Sequence, residues 1–470
     1  MTENEIYFVS ASKQAELIRK KIISPVELIH SYLDRIQSLN PSLNAIVTVS
    51  EKAIEQARQA ETKVMKGEYL GKLHGVPFTA KDCFDTAGIK TTRGSRLFQN
   101  RIPDQDATAV KRLKQAGAIL LGKTNLPEFA LSAETNNNVF GQTNNPWNLL
   151  KTAGGSSGGE ASAIAAGLSP LGIGTDLGGS NRLPAHYCGI VGFKPTHGRI
   201  PLTGQWPELM SRYMHVGSLN RSVKDAALTL SVLLGPDGQD PYAVPVVDPD
   251  ISTIDLHNPQ LKIGWIAEGP FQPVAQTIQK AVADAASVLK NHGWIVEPVS
   301  LDKWKQNKPI NLVMDLLIAE APHYFEQLIE GKHDQLTAPI QQLLGTPLPS
   351  IQDYIRALAG CEQLRHDMIK HFSTFDILLL PTAPMTAPIH DAVSHSINGK
   401  TAPPIHGASI TPAFGITGSP AISIPFTQSP DGLPIGVQLV AAHFNESKLF
   451  QAAMALEKNT GTRFHRPPQF

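Results

Sequence analysis

Apolar residues recur at helical spacing near the start of the chain. Ile29, Leu33 and Ile36 follow the segment Ser24 to Glu27, SPVE, which has the form of a capping box with proline at the first helical position. Residues three and four positions apart lie on the same face of a helix. The pattern therefore predicts that the N-terminal region, about residues 1–65, is helical.

A second helical pattern leads directly into an apolar run. Asp106 precedes Val110 and Leu113, which are spaced for one helix face, and Gly117 follows them. Aspartate is a common N-cap and glycine is common just after a helix. We therefore expect a helix that Asp106 caps and Gly117 ends. The run from Ala118 to Leu121 is typical of a buried strand.

The alternation of helix and strand patterns continues in the C-terminal half. Short apolar runs cover residues 261–266, 294–296 and 377–380, and a helical pattern at 274–289 separates the first two. Such alternation predicts an α/β protein. No Pro/Ser/Gly-rich linker and no internal repeat divides the 470 residues. We expect one large domain, although length alone would suggest about three.

Charge and composition narrow the classes of partner and compartment. The 41 basic and 41 acidic residues cancel, and no basic run is long enough for a nucleic-acid surface, so no nucleic-acid partner is expected. The three cysteines are too few and too far apart for a disulfide framework or a zinc site, and they fit a reducing compartment. No stretch approaches the roughly 18 apolar residues of a membrane span, and the N-terminus lacks a signal pattern. The sequence predicts a cytoplasmic protein without an integral membrane segment.

Two glycine-rich clusters contain the most informative serines. The first, Gly154 to Gly159, reads GGSSGG, and the second, Asp176 to Ser180, reads DLGGS. Glycine lets the backbone approach a ligand closely, and unshielded N–H groups can stabilise a developing oxyanion. The small residues from Ala161 to Ala166 predict a helix that lies directly on a sheet. Together these features indicate a nucleophilic serine beside an oxyanion hole.

The motifs GGSSGG, GTDLGGS and CGIVGFKPT, in this order and at this spacing, resemble the amidase signature family. The similarity extends through LGKTNLPEFA and FGQTNNPW and covers most of the chain. The resemblance implies a catalytic triad. In it Ser180 is the nucleophile, Ser156 is a bridging serine held by a cis peptide bond, and Lys81 of HGVPFTAKD is the base.

The resemblance also implies a fold, an oligomeric state, a class of substrate and an oxyanion hole. It predicts a single amidase domain over residues 1–470, with a mixed, twisted central β-sheet between layers of helices. The signature core covers about residues 70–225, and residues 226–470 match the family less well. The family often forms homodimers, and the substrate is a small-molecule amide. The oxyanion hole is expected from the backbone N–H groups of Leu177, Gly178, Gly179 and Ser180.

A lysine can act as a base near neutral pH only if its pKa falls well below about 10.4. Burial has this effect, and lowering the pKa by about 3 costs roughly 4 kcal/mol, which a large core can absorb. Lys81 lies in an apolar setting, VPFTAKDCF. If Val76 to Lys81 forms a strand that enters the core, alternation directs the Asp82 side chain away from Lys81. A single lysine is ordinarily exposed, and only the resemblance favours burial here.

A rival assignment uses the same glycine cluster. Gly154 to Gly158 also fits the G-x-S-x-G nucleophile elbow of α/β-hydrolases, which would make Ser156 the nucleophile of an esterase-like enzyme. That motif requires a strand directly before the serine. Asn144 to Thr152, NNPWNLLKT, contains a proline and adjacent asparagines and makes a poor central strand.

Other chemistries lack their motifs in this sequence. The sixteen histidines form no H-E-x-x-H pair and no metal-binding spacing with cysteine, so no metal site is predicted. No phosphate-binding P-loop or complete dinucleotide fingerprint is present, so no cofactor is expected. Cys188 is interpreted as a small buried residue and not as a second nucleophile.

Substrate preference is less well defined by the sequence. The resemblance places Ala130 on an acyl-pocket wall, where a small residue leaves room for a bulky acyl or aryl group. Asn181 and His186 depart from the family's usual residues, and we expect them to alter contacts near the leaving group. The resemblance also implies that Arg182 braces the nucleophile loop by hydrogen bonds. Ser157 and Asp176 are grouped with the residues that contact the substrate or support the nucleophile.

These observations favour a stand-alone amidase for aryl or hydrophobic acyl amides, with esters and carbamates as side substrates. The main alternative is the glutamine-hydrolysing subunit of a tRNA-dependent amidotransferase. That subunit often has glutamine where this chain has Leu183, which weakens the alternative and leaves it open.

Overall fold

The computed structural model describes residues 3–245, 260–459, 466–468 and 470. Within them, no helix is both long enough and apolar enough to cross a bilayer. The helices are α1 Glu3–Ile6, α2 Ala11–Arg19, α3 Pro25–Leu43, α4 Ala53–Lys66, α5 Thr108–Gln115, α6 Gly158–Ala165, α7 Arg182–Cys188, α8 Val223–Leu233, α9 Gln276–Asn291, α10 Pro309–Ile329, α11 Ala338–Gly345, α12 Ile351–Phe372, α13 Pro412–Ile416 and α14 Glu446–Asn459.

Eleven strands form one sheet in the order β1-β3-β2-β6-β8-β7-β14-β15-β11-β9-β10, and β4 pairs with β5 and β12 with β13 in two small sheets. The strands are β1 Ile46–Val49, β2 Pro77–Lys81, β3 Ile119–Thr124, β4 Asn144–Asn145, β5 Asn148–Thr152, β6 Leu171–Asp176, β7 Val191–Lys194, β8 His215–Asn220, β9 Lys262–Trp265, β10 Ile295–Pro298, β11 Ile377–Pro381, β12 His395–Ile397, β13 Lys400–Ala402, β14 Ala421–Gln428 and β15 Pro434–Ala441.

The main sheet is mixed, as predicted. Strand β2 runs parallel to β3 and β6, and β9 runs parallel to β10 and β11. The strands between these groups pair antiparallel. Helices flank the sheet, so the α/β fold class predicted from the sequence is confirmed. Strands from both halves of the chain share this sheet, and the single domain over residues 1–470 stays a prediction.

The N-terminal region is helical except for one strand. The predicted capping box is present: the Ser24 hydroxyl accepts hydrogen bonds from the N–H groups of Val26 and Glu27, and Pro25 starts α3. Strand β1 lies between α3 and α4 and forms one edge of the main sheet. The expectation of an all-helical segment was wrong at this point. The short run IVTV is β-branched, and such residues favour a pleated surface.

Asp106 does not cap the helix that follows it. Helix α5 begins at Thr108 with Ala107 as its N-cap. The Asp106 carboxylate instead accepts a hydrogen bond from the Ala87 N–H at 2.9 Å and pairs with Lys114 at 2.8 Å. The predicted end is correct, because Gly117 follows the helix with φ of 88°. The strand after it, β3, extends beyond the predicted Leu121.

The C-terminal elements agree with the predicted runs. Strands β9, β10 and β11 overlap them, and α9 lies between β9 and β10. Strands β9 and β11 are fully or largely buried, while β10, at the edge, is mostly exposed. The short apolar runs were sufficient to locate these strands because each is bounded by turn residues.

Helix α6 packs closely on the middle of the sheet, as its small residues predict. Gly159 permits this approach: a Cβ at that position would lie 2.4 Å from the Asn125 N and 2.5 Å from the Asn125 O. Backbone atoms cannot move aside as a flexible side chain can. Close contact between α6 and the sheet brings the start of this helix to the ends of β2 and β6.

We expect Gly159→Ala to lower the free energy of unfolding by about 1–3 kcal/mol, because the added methyl group overpacks against fixed backbone. Gly345→Ala is a matched control, since a Cβ there meets nothing within 4 Å. Helix propensity predicts a change of less than about 1 kcal/mol at that position. Urea denaturation of both variants measures the difference. Equal stability of the two variants would contradict the tight packing of α6.

Candidate active site

Lys81 is the last residue of β2 and is completely buried. Its Nζ lies 2.6 Å from the Ser156 Oγ and 2.9 Å from the Thr175 Oγ1. Both neighbours are neutral hydroxyl groups. As an ammonium, Lys81 donates to both hydroxyl oxygens; as a free amine, it can accept the proton of the Ser156 hydroxyl.

Burial lowers the pKa of Lys81 to about 8. The charges of Cys83, Asp176 and Glu160 act in the opposite direction and limit the decrease. A buried ammonium loses its hydration, and neutral hydroxyl groups only partly replace it. The free amine is therefore accessible near neutral pH, as general base catalysis requires.

The neighbouring carboxylate does not contact Lys81. The Asp82 Oδ2 accepts hydrogen bonds from the Thr92 N–H at 2.9 Å and from the Thr92 hydroxyl at 2.6 Å. Its other oxygen pairs with Lys123 at 3.3 Å. The alternation predicted for this strand is confirmed, and it leaves Lys81 without a bonded carboxylate.

Ser156 follows a cis peptide bond with Gly155, as the resemblance implies. Gly155 lies against another backbone segment: a Cβ there would be 2.6 Å from the Ser132 O. The next residue, Ser157, donates its N–H to the Ser180 carbonyl at 3.1 Å. This bond joins the two glycine-rich clusters directly, so Ser156 and Ser180 line one cavity.

Asp176 organises the loop that contains Ser180. Its carboxylate accepts the N–H groups of Gly179 at 2.9 Å and Asn181 at 3.2 Å. It also forms a bidentate pair with Arg182, at 2.9 Å to Nε and 2.7 Å to Nη2. Burial alone would raise the pKa of Asp176, but the Arg182 guanidinium outweighs this effect and holds the pKa below its ordinary value.

The expected oxyanion hole needs one correction. The Gly179 N–H already donates a hydrogen bond to the Asp176 carboxylate, so this N–H is not available to an oxyanion. No described residue accepts a hydrogen bond from the N–H groups of Leu177, Gly178 or Ser180. These three groups lie on the partly exposed part of the loop, beside the cavity. They are the donors that remain available to a developing oxyanion.

The cavity at Ser180 is small and uncharged. Its volume is about 140 Å³, and none of the described residues that line it is Asp, Glu, Lys or Arg. Ala130 and Leu183 both lie on its wall, and the role of Ala130 in an acyl pocket stays a prediction. Leu183 also lines an adjoining cavity of about 550 Å³, together with Met314, Leu317 and Ile405. A substrate at Ser180 can therefore extend along a mostly apolar surface.

A model of the amidase family matches residues 27–450 of this chain. The chain belongs to the amidase family. Amidases hydrolyse amide C–N bonds, and this chain is accordingly an amide hydrolase. The family membership confirms the resemblance found in the glycine-rich motifs.

Known proteins of two kinds are similar to this amidase. The chain is 36% identical over 491 residues to the A subunit of the glutamyl-tRNA(Gln) amidotransferase from Carboxydothermus hydrogenoformans, covering 98% of this chain and 99% of that protein. The solved structure of a bacterial aryl acylamidase of the amidase signature family has a TM-score of 0.90 and 29% identity over 98% of both chains. The solved structure of the corresponding amidotransferase component from Thermotoga maritima has a TM-score of 0.77 and 28% identity, over 99% of this chain and 97% of that chain.

Residues from the C-terminal half of the amidase complete the site. Arg182 donates to the Thr411 carbonyl at 3.0 Å and to the Gln438 Oε1 at 2.8 Å. The Thr411 hydroxyl donates to the Gly178 carbonyl at 2.6 Å. The bracing role of Arg182 was expected from the sequence, but Thr411 and Gln438 were missed. Neither has a local motif, because their role depends on a contact across more than two hundred residues of chain.

Asn181 and His186 do not reach the cavity. The Ser157 hydroxyl donates to the Asn181 Oδ1 at 3.0 Å, which links the two clusters a second time. The Nδ1 of His186 accepts the Gly436 N–H at 2.9 Å, and its Nε2 donates to the Met385 carbonyl at 3.0 Å. Burial lowers the pKa of His186 to about 4, which keeps it neutral. Both side chains are fully buried, so an effect on leaving-group contacts would be indirect, and it stays a prediction.

The strand before Ser156 does not support the nucleophile-elbow alternative. Residues 148–152 form β5, which pairs with β4 in a separate two-stranded sheet. An elbow serine follows a strand of the central sheet. The amidase instead places the Ser156 cluster after a peripheral hairpin.

We expect Arg182→Met to lower the free energy of unfolding by about 3–5 kcal/mol, because it leaves the Asp176 carboxylate buried and unpaired. Arg356→Met is the matched control. Arg356 pairs with Asp353 at the surface, and their side chains are 76% and 47% exposed. Exposed pairs contribute about 0–1 kcal/mol. Denaturant unfolding compares the two variants, and similar losses would contradict the organising role of the buried pair.

Proposed function

We propose that this amidase cleaves carboxylic amides with an apolar, uncharged acyl group through an acyl-enzyme on Ser180. The observation that carries the proposal is the contact of 2.6 Å between the Lys81 Nζ and the Ser156 Oγ, beside the cavity that Ser180 shares. The arrangement brings together a base of lowered pKa (Lys81), a hydroxyl group that can relay a proton (Ser156) and a nucleophile (Ser180). It is the chemistry that an activated serine needs.

The proposed reaction begins with Lys81 as the free amine. The Ser180 Oγ attacks the amide carbonyl and passes its proton to the Ser156 Oγ, while the Ser156 proton moves to the Lys81 Nζ. The N–H groups of Leu177, Gly178 and Ser180 stabilise the resulting oxyanion. Collapse breaks the C–N bond, and the proton returns along the same path to the leaving nitrogen. Water then attacks the acyl-enzyme with the same relay, releasing the acid and regenerating Ser180.

The uncharged cavity supports the preference for apolar acyl groups. A free glutamine carries a carboxylate and an ammonium close to its reacting amide. Burying either charge without a partner is costly, and the described lining residues of the cavity at Ser180 offer none. An aryl or alkyl acyl group gains by burying apolar surface there. The high structural similarity to an aryl acylamidase also supports this preference.

The second candidate is the glutamine-hydrolysing subunit of a tRNA-dependent amidotransferase. Sequence similarity favours it, because the relative at 36% identity belongs to such an amidotransferase. In that case the chain would act with other subunits and would transfer the ammonia that it releases. Ester and carbamate hydrolysis, a homodimer and a cytoplasmic location stay predictions.

A panel of substrates distinguishes the two candidates. We expect the purified chain to hydrolyse aryl and alkyl acyl amides with kcat/KM at least about 100-fold above that for glutamine, since an unpaired buried charge costs several kcal/mol. The rate is measured for every substrate in the same way, as the amount of product acid determined by chromatography. Efficient release of ammonia from glutamine, with negligible turnover of apolar amides, would contradict this proposal and would favour the function of an amidotransferase subunit.

We expect Ser180→Ala to abolish labelling by a fluorophosphonate probe and to lower kcat by at least about 10⁴-fold. Ser156→Ala and Lys81→Met should slow both reactions by about 10²–10⁴-fold, because each interrupts the proton path. Ser287→Ala, at a serine on the surface of α9, is the control and should retain full activity. Persistent labelling of Ser180→Ala with loss of labelling in Ser156→Ala would instead favour the elbow assignment.

The rate should follow the ionisation of Lys81. Because only the free amine accepts a proton, kcat/KM is expected to rise about tenfold per pH unit below pH 8 and to level off above it. The pKa of about 8, lowered from 10.5, sets this midpoint. A pH profile measured with an uncharged amide tests the prediction. A midpoint near 10.5 would show that Lys81 behaves as an exposed lysine.

A further inference from the structure

Glu160 is a fully buried carboxyl group next to the proposed proton path. It belongs to the first turn of α6, four residues after Ser156. The Thr79 hydroxyl donates to its Oε2 at 2.7 Å. Gly172 of β6 provides the space, because a Cβ there would lie only 1.9 Å from this oxygen. The carboxyl group is therefore held in a defined place between α6, β2 and β6.

Glu160 is bonded to the same strand that carries Lys81. Thr79 and Lys81 are two residues apart on β2, so their side chains lie on the same face of the strand. The charges of Cys83 and Asp176 raise the pKa of Lys81, and the charge of Glu160 adds a smaller contribution in the same direction. In the opposite direction, Lys81 and Lys123 are the cations that act on Glu160. Lys123 itself is paired with Asp82.

Burial by itself makes Lys81 a weak base. An apolar residue at position 160 would remove one of the negative charges that act on the amine, and the affinity of Lys81 for the proton would fall further. A base whose pKa lies far below the working pH accepts a proton with little driving force. A carboxyl group within the electrostatic reach of Lys81 corrects for this effect without forming a salt bridge that would keep the lysine charged.

We propose that Glu160 is a positioning residue that sets how strongly Lys81 holds the proton passed on by Ser156. The inference rests on the proposed role of Lys81 as the base. Glu160 itself touches neither the substrate nor Ser180 in this scheme. Burial raises the pKa of Glu160 to about 8, so its own ionisation falls in the pH range in which Lys81 loses its proton. The ionisation of each group in that range therefore depends on the charge of the other.

Glu160→Gln tests the inference, because the amide keeps the shape of the side chain and removes the charge. The readout is the rate at which a fluorophosphonate labels Ser180 as a function of pH, which needs the base but no particular amide substrate. We expect the midpoint of the profile to fall by about one pH unit relative to wild type. The plateau rate at high pH should fall about threefold, since Lys81 becomes a weaker base.

Asp225→Asn is the matched control. Asp225 is also a fully buried carboxylate, but it caps α2 by accepting the N–H groups of Ala11 and Ser12. Its loss should leave the pH midpoint of labelling where it is in wild type. Thr79→Val is the second variant, in case Glu160→Gln does not fold. Without the hydroxyl donor the carboxyl group stays protonated to higher pH, so the midpoint should fall again, by a smaller amount.

The outcomes separate this inference from the proposed function. A wild-type profile that rises through pH 8 and is abolished in Lys81→Met, but that does not move in Glu160→Gln, would overturn the inference alone. A flat wild-type profile would overturn the role of Lys81 and the inference with it. A shift in Glu160→Gln of the same size as in Asp225→Asn would show a general effect of destabilisation and would also overturn the inference.

Discussion

Burial of Lys81 without a bonded carboxylate is the constraint on which the site depends. Strand β2 carries the side chain into the middle of the sheet, and alternation along the strand turns Asp82 toward Thr92 and Lys123. Two hydroxyl groups are then the direct partners of the ammonium. Because the charged form is poorly stabilised there, the pKa falls to about 8. A salt bridge in the same place would have stabilised the charge and removed the base.

The two serine clusters are held in register by hydrogen bonds that do not involve the reacting groups. Ser157 bonds to the Ser180 carbonyl and to Asn181, and the Asp176–Arg182 pair fixes the loop around Ser180. Arg182 then connects this loop to Thr411 and Gln438 in the C-terminal half. Pre-organisation of this kind matters because a catalytic geometry must be established before the charge develops.

The cavity walls bear on which acyl groups this amidase accepts, whereas the reacting groups serve the chemistry common to its family. In the proposed mechanism the backbone and the lysine act in the same way on any amide, whereas the cavity walls decide which acyl group can be desolvated. Leu183, Met314, Leu317 and Ile405 make those walls apolar. Sequence similarity to amidotransferase subunits therefore coexists with a cavity that is poorly suited to a zwitterion. Overall identity averages over the whole chain, whereas only a small number of residues line the cavity.

The sequence by itself determined the features whose signals are local. Short segments were enough to predict the capping box of α3, the strands β9 and β11, and the glycine clusters that contain Ser156 and Ser180. Helix caps, apolar periodicity and close backbone approach all depend on residues that are neighbours in the sequence. Only the tertiary structure decided that Glu160 accepts the Thr79 hydroxyl beside β6, that Thr411 and Gln438 meet Arg182, and that His186 bonds to β15. These contacts join distant parts of the chain. Packing selects such partners by shape and burial, and no short sequence pattern encodes that choice.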